Sequence, residues 1–267
     1  MEKLTIDSSA LASKLKRLAV WFDRNCQPAG FIQRCHDRAP FGGAYVTIDP
    51  GRQGPAASGN WNRIHLCGAE PGLTPDGLSR LTEQFTAAGV RQFFVWLSPG
   101  PEMDTIRGWL AARALKRVPW TGYPTLYRAS LTPATFETAL EIREVGPAEI
   151  ARARDALGDT MWREYETSAG QDGFFHFMAF DAGRPVAIGA LAAFEGLGYL
   201  NSAATAEGDR KRGAQQALIA KRIEKARAVG CTALAVETLT MLEHSLRNLQ
   251  RAGFEQVFEK EVYGTPA

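Results

Sequence analysis

Three cationic side chains and a glycine lie together at one point of the sequence, Arg210-Lys211-Arg212-Gly213. Apolar residues at helical spacing over 214–229 predict a helix that begins directly after the glycine. The first N–H groups of a helix have no acceptor within it, and the helix dipole favours an anion beside them. The pattern therefore predicts a phosphate or pyrophosphate site. A solvated basic turn is the alternative, and the surrounding elements are needed to choose between them.

The elements around this loop alternate in a recognisable order. Turn residues such as Asp181-Ala182-Gly183 separate a series of β-rich segments, and periodic apolar residues predict the helices. The predicted strands are 141–145, 173–180, 185–194, 197–204, 232–237 and 254–262, and the predicted helical segments are 147–166, 214–229 and 243–252. On the helix 214–229 the cations Lys221, Arg222, Lys225 and Arg227 are expected to form the polar face. Antiparallel strands that lead into a β-α-β crossover predict an α+β fold with a mixed sheet.

The first half of the chain repeats part of this order. A helix over 78–88, a strand over 91–97, a helix over 103–114 and a strand that ends at Arg128 follow one another, and Gly89 corresponds to Gly230. This repeat predicts two related tandem domains, 1–130 and 139–267, with a linker near 129–138 that contains Pro133.

The second half resembles the GCN5-related N-acetyltransferase (GNAT) superfamily. The resemblance covers roughly 140–267 and rests on the order of elements, on the loop, and on the segment 245–254, which ends in Gly253-Phe254. The family's pyrophosphate motif, Gln/Arg-x-x-Gly-x-Gly/Ala, lies over 210–215, and Gln215 occupies the position where a small residue is usual. The resemblance implies two tandem GNAT-like domains, each with a mostly antiparallel mixed sheet and a pair of splayed parallel strands, here 198–205 and 232–238.

The resemblance also implies acetyl-coenzyme A (acetyl-CoA) as the cosubstrate, and no metal is expected. A backbone amide near 201–203 would meet the thioester carbonyl. The residues expected to bind the pyrophosphate and the pantetheine arm, with one polar side chain on the last helix, are Ala203, Ala204, Thr205, Arg210, Lys211, Arg212, Gly213, Ala214, Gln215 and Asn248.

The catalytic acid and base follow the family pattern less closely. A tyrosine that often protonates the leaving thiolate is replaced by Leu249, and a glutamate that some members use as a base is replaced by Tyr199. A thiol with a pKa of about 8.5 is a tolerable leaving group without a dedicated acid. We therefore expect Glu237, Tyr199 and Asn201 to act on the substrates, with His176 and His244 as alternative bases.

The loop of the first repeat, 68–77, has two acidic residues and no Arg or Lys. An anionic pyrophosphate would be repelled there. Residues 1–130 are therefore predicted to be a degenerate GNAT-like domain without a phosphate loop.

The composition limits the partners. The chain has 267 residues and a formal net charge of +2, which disfavours nucleic acid or a membrane surface as a partner. The start of the chain has no apolar signal run, so a cytoplasmic location is expected. The chain is expected to be a monomer or a homodimer. The predicted function is direct transfer of an acetyl group from acetyl-CoA to a primary amine of a small-molecule or peptide acceptor, in a ternary complex. A non-catalytic acyl-CoA binding or sensing protein of the same fold is the alternative.

Overall fold

The computed structural model describes residues 7–26, 30–52, 61–67, 70–132, 135–161 and 163–265. Its contacts divide the chain into two compact units. Unit 1 comprises the described residues within 1–124, 239–241 and 257–267, and unit 2 comprises those within 125–238 and 242–256. These units differ from the predicted ranges 1–130 and 139–267, because each unit includes a strand segment from the other half of the sequence. Pro133 of the predicted linker lies outside the described residues.

Unit 1 is a mixed sheet with helices. The strands are β1 (Ile32–His36), β2 (Ala44–Ile48), β3 (Arg63–Cys67), β4 (Phe94–Leu97), the first part of β5 (Lys116–Arg128) and most of the last strand of the chain, β11 (Glu255–Gly264). The helices are α1 (Ser8–Cys26), α2 (Pro75–Ala87) and α3 (Met103–Ala112). Strands β1, β2 and β3 pair antiparallel in that order, β3 is parallel to β4, and β4 is antiparallel to β11.

Helix α2 forms the crossover between the parallel strands β3 and β4. Thr74 caps its first turn, since the Thr74 hydroxyl accepts a hydrogen bond from the Gly77 N–H, and Pro75 has the fixed φ that suits a first helical position. Leu78, Leu81 and Phe85 are fully buried at spacings of a single helical face. This face packs in the same apolar cluster as the sheet residues of unit 1.

Unit 2 repeats part of this order, with three consecutive antiparallel strands, a crossover helix, a strand and a further helix. Its strands are β6 (Glu141–Val145), β7 (Phe174–Asp181), β8 (Arg184–Phe194), β9 (Leu197–Thr205), β10 (Ala233–Glu237) and residues 125–128 of β5. Its helices are α4 (Pro147–Leu157), α5 (Arg163–Thr167), α6 (Ala214–Ala228) and α7 (Glu243–Arg251), with short 3₁₀ turns at Gly158–Thr160 and Glu207–Asp209. These bounds agree with the predicted elements to within a few residues.

The strands of unit 2 form a mixed sheet in the order β5-β10-β9-β8-β7-β6. Only β9 and β10 are parallel in it, and their pairing extends from Leu197 opposite Ala233 to Leu200 opposite Val236. Strand β9 continues to Thr205 and pairs there with β8. The two parallel strands thus separate after Leu200, and β9 presents an edge towards the opening.

A β-bulge lies on β9 at this opening. Ile188 pairs with Ala204 and Ala190 pairs with Asn201, so the single residue Gly189 lies opposite two residues, Ser202 and Ala203. Ser202 has a φ of +48°, a backbone conformation that non-glycine residues rarely adopt. Bulges of this kind redirect backbone groups and are common beside active sites.

Helix α6 packs its apolar face against this sheet. Ile219, Ile223 and Ala226 share a buried cluster with Leu200 and Leu234. Burying each of the two isoleucine side chains contributes about 1.5–3 kcal/mol, which fixes the helix against the parallel strands. Among the described residues, no helix is long and apolar enough to span a membrane, and no cluster of His, Cys, Asp and Glu suits a metal ion.

Candidate active site

The start of helix α6 presents unpaired backbone donors. Gly213 is its N-cap residue with φ +80° and ψ 0°, and it provides no side-chain cap. Within the part of the chain that the structure describes, the N–H groups of Ala214, Gln215 and Gln216 have no acceptor. Such donors and the positive end of the helix dipole suit an anionic oxygen. The site therefore fits a pyrophosphate group.

Arg212 is held in an ion-pair network instead of extending freely. Its guanidinium contacts Asp181 at 2.8 Å and Asp209 at 3.1 Å, and Asp209 also accepts two hydrogen bonds from Arg184, at 2.8 and 3.0 Å. Hydrogen bonds from Arg184 and Arg212 hold the pKa of Asp209 below its usual value, and a hydrogen bond from Arg212 does the same for Asp181. The network fixes the shape of the loop before the helix.

Arg210 and Lys211 have a different position from Arg212. Both are exposed, and the nearest carboxylate recorded for Arg210 is that of Glu207, 4.0 Å away. Lys211 has a φ of +65°, which turns the chain just before the N-cap. These two cations remain available to a ligand at the α6 N-terminus. Direct contact of Arg212 with the pyrophosphate stays a prediction.

Gln215 connects the start of α6 to the strands. Its Nε2 donates to the carbonyl oxygens of Ala204 at 2.8 Å and Ile188 at 3.2 Å, and it lies 3.0 Å from the Thr205 Oγ1. The side chain that departs from the family pattern therefore ties the open end of β9 to the helix.

Tyr199 and Glu237, two of the predicted catalytic residues, lie together where β9 and β10 separate. The Tyr199 hydroxyl donates to Glu237 Oε2 at 3.3 Å, and the buried Thr125 hydroxyl donates to Glu237 Oε1 at 2.8 Å. Both Tyr199 and Glu237 are half-buried. The carboxylate is thus oriented by two hydroxyl groups at the edge of the opening.

Asn201 is the first residue of β9 after the segment that pairs with β10. Its Nδ2 donates to the Tyr199 carbonyl oxygen at 3.2 Å, while its Oδ1 is buried and has no hydrogen-bond partner among the described residues. A buried polar atom without a partner is costly in a folded protein, and such atoms often mark places that a ligand or water completes. The structure thus brings Tyr199, Asn201 and Glu237 to one end of the strand pair.

The residues of α7 differ in exposure. Leu249, at the tyrosine position of the family pattern, is buried in the apolar cluster of α6 and the sheet. Asn248 is half-buried beside it. A leucine side chain has no proton to donate, so position 249 does not provide a general acid for the leaving thiolate.

His176, one of the two alternative bases, lies inside unit 2. It is buried against the Tyr165 ring, and its Nε2 lies 2.8 Å from the Ser168 Oγ. Burial lowers the pKa of His176 to about 4, so the imidazole is neutral at ordinary pH. His244, the other alternative, is exposed on α7.

Arg222 differs from the sequence prediction. The sequence pattern predicts that it lies on the polar face of the helix, whereas its side chain is fully buried. Positions 218, 222 and 226 are spaced by four residues and share one helical face, and Leu218 and Ala226 are apolar. That spacing was the signal that predicts its burial.

The corresponding helix start in unit 1 is closed. The Thr74 side chain accepts a hydrogen bond from the Gly77 N–H in the first turn of α2, and Asp76 adds a negative charge there. Glu70, just before the helix, is paired with the buried Lys16 at 2.8 Å. Residues 68 and 69 of the predicted loop lie outside the described residues. No basic side chain belongs to the described part of this loop, residues 70–77.

Comparisons with known proteins give the family of unit 2 residues and the fold of the chain. The model of the acetyltransferase (GNAT) family matches residues 142–254. A GCN5-related N-acetyltransferase from Kribbella flavida has a TM-score of 0.67 at 16% identity, with 96% of each chain covered. A tandem GNAT protein from the clavulanic acid biosynthesis pathway has a TM-score of 0.61 at 10% identity, with 97% of this chain and 96% of that chain covered. A search of curated proteins finds no match.

Residues 142–254 therefore belong to the GNAT acetyltransferase family, and the chain has a tandem GNAT fold. The family and fold that the resemblance implied are confirmed. The family is one of acyltransferases that use acyl-CoA, which gives the general class of the chemistry.

Proposed function

We propose that unit 2 binds acetyl-CoA and transfers its acetyl group to a primary amine. The observation that carries the proposal is that an uncapped helix N-terminus and two separating parallel strands occur in the same unit. A second observation is the hydroxyl-oriented carboxylate of Glu237 at the end of those strands.

The residues of unit 2 divide the task of binding. The amides of Ala214, Gln215 and Gln216 would bind the pyrophosphate, with Arg210 and Lys211 neutralising its charge. The β9 edge at Ala203–Thr205 would pair with the amide groups of the pantetheine arm, and Asn248 would contact the cofactor from α7. When bound, acetyl-CoA supplies an acetyl group activated as a thioester.

The residues at the strand ends would manage the amine. Glu237 carries a negative charge that attracts a protonated amine and accepts its proton, directly or through water. Tyr199 holds the carboxylate in position, and Asn201 orients the acceptor through its unpartnered Oδ1. Fixing the two reactants in contact supplies much of the rate enhancement.

We propose that unit 1 is a GNAT-like copy without a cofactor site. Two features support this proposal. The Thr74 side chain accepts the hydrogen bond that an anion would otherwise accept, and the acidic residues around it would repel the anion. Its task would be structural.

The experiment is amine-dependent release of free thiol from acetyl-CoA, measured with a panel of small amines and peptides. We expect release that depends on the amine and is lost in Glu237→Gln. Glu224→Gln, which changes an exposed carboxylate on α6, serves as the matched control. Binding of acetyl-CoA without release of thiol for any amine would favour the alternative, a non-catalytic acyl-CoA sensing protein. The buried Leu249, at the position of the family's catalytic tyrosine, supports that alternative.

A further inference from the structure

The guanidinium of Arg222 is buried in unit 2. Its residue is 2% exposed, and no carboxylate of the described residues forms an ion pair with it. Its Nε donates to the Leu218 carbonyl oxygen of its own helix at 3.1 Å. Burial of an unpaired charge destabilises a folded protein, whereas an apolar side chain of similar size fits such a position at little cost. Stability therefore does not account for an arginine here.

The guanidinium lies directly beneath the bulge of β9. Its Nη1 is 3.4 Å from the carbonyl oxygens of both Ala190 and Asn201, which pair with each other at one end of the bulge. A Cβ atom at Gly189 would lie 3.1 Å from the Arg222 Cζ, closer than an ordinary van der Waals contact, so a larger residue there would press on the guanidinium. Arg222 thus contacts both strands at the point where the register shifts.

The peptide group that joins Asn201 to Ser202 connects this charge to the opening. In a planar trans peptide the N–H points opposite to the C=O, so the Ser202 N–H points away from Arg222. A carbonyl that accepts a hydrogen bond from a cation becomes more polarised, and its own N–H becomes a stronger donor. Burial lowers the pKa of Arg222 only to about 10, so the side chain keeps its charge near neutral pH.

We propose that Arg222 is a positioning residue that holds the bulge and polarises the Asn201–Ser202 peptide, so that the Ser202 N–H stabilises negative charge on the thioester carbonyl oxygen. This proposal rests on the proposed function of unit 2. It goes beyond it by assigning a task to a side chain that cannot touch either substrate.

The test uses acetyl-CoA labelled with ¹³C at its carbonyl, and needs no acceptor. In the wild-type protein we expect the carbonyl resonance to move downfield on binding, because hydrogen bonding polarises the carbonyl. Arg222→Met should lose most of this shift while the CoA dissociation constant changes less than about threefold, since the pyrophosphate site is separate. Arg222→Lys keeps a charge and should recover part of the shift. Lys221→Met, at the exposed neighbouring position, is the control.

Kinetics give a second readout. An oxyanion donor contributes about 10²–10³ in kcat, and a charge-assisted hydrogen bond is about twice as strong as a neutral one. Loss of the charge should therefore lower kcat about tenfold or more, with KM for acetyl-CoA nearly unchanged. If Arg222→Met does not fold, Gly189→Ala serves in its place. This substitution displaces the guanidinium without removing it, and it should also reduce the shift of the carbonyl resonance.

The outcomes separate the two proposals. A wild-type protein that binds acetyl-CoA without a carbonyl shift, or an Arg222→Met protein that retains the shift, would overturn the task given to Arg222 and leave acetyl transfer intact. A shift and CoA affinity that fall together with the thermal transition would show that Arg222 only packs. A wild-type protein that does not bind acetyl-CoA would overturn both proposals.

Discussion

Replacement of Gly213 by alanine tests the phosphate-binding loop most sharply. Gly213 has a φ of +80°, and a Cβ atom there would lie 3.1 Å from the Glu137 carbonyl oxygen. An L-residue in the left-handed region costs about 1–2 kcal/mol. The close contact with Glu137 adds to this cost. The chain can relieve the strain only by rotating Gly213 away from its present geometry, which moves the amides of Ala214–Gln216 that follow it.

The size of the effect follows from the strain. If CoA binds only when residue 213 has its present geometry, binding must overcome a strain of about 1–2 kcal/mol in the alanine variant. The dissociation constant of CoA then rises by about five- to thirtyfold. Calorimetric titration with CoA measures this change, and denaturant unfolding measures the accompanying loss of stability.

Gly230→Ala is the matched control. Gly230 has a φ of +82°, follows the other end of α6, and has open space around its Cβ position. It should lose a similar amount of stability without loss of CoA affinity. Equal CoA affinity in Gly213→Ala and wild type would refute the assignment of the loop, and so would equal losses of affinity in the two variants.

Four further outcomes are expected. Glu237→Gln should lower kcat by about 10²-fold or more, as measured by thiol release, and leave the CoA dissociation constant unchanged, because a general base acts only in the chemical step. Asp209→Asn should weaken CoA binding in calorimetry, because it removes the carboxylate that joins Arg184 to Arg212. Calorimetry should give one CoA per chain, and two would contradict the degenerate first copy. The free energy of unfolding should fall by up to about 3 kcal/mol as the pH falls from about 6.5 to about 4, because the unfolded state protonates His176 in this interval and the folded state does not. His176→Phe should flatten that dependence in urea titrations at several pH values, and an unchanged slope would assign it to other groups.

The elements of unit 2 could be predicted because their signals are local. Strands β6–β9 are bounded by turn residues, and α6 ends before Gly230. In unit 1 the predicted elements do not include α1 and β1–β3. A local signal for α1 is nevertheless present, because Leu11, Leu15 and Leu18 have the spacing of a buried helical face. The exchange of strand segments could not be predicted, because Glu261–Gly264 pairs with β4, far away in the sequence.

The site shows the same division. The helix N-terminus and the cations of 210–212 are local features, and the sequence located them. Of the two carboxylates that contact Arg212, Asp209 is local, whereas Asp181 lies 31 positions away. The contact of Tyr199 with Glu237 depends on the register of β9 and β10, and the bulge depends on a register shift. Such geometry follows from strand pairing, which residue types do not specify.

Acetyl transfer by unit 2 is tested by the initial rate of thiol release at saturating acetyl-CoA as the amine concentration is raised. We expect a rate that rises with the amine concentration and saturates, and an acetylated amine that mass spectrometry detects in the same amount as the thiol. A protein that binds acetyl-CoA but releases no thiol with any amine, or releases it at a rate independent of the amine, would contradict acetyl transfer by unit 2.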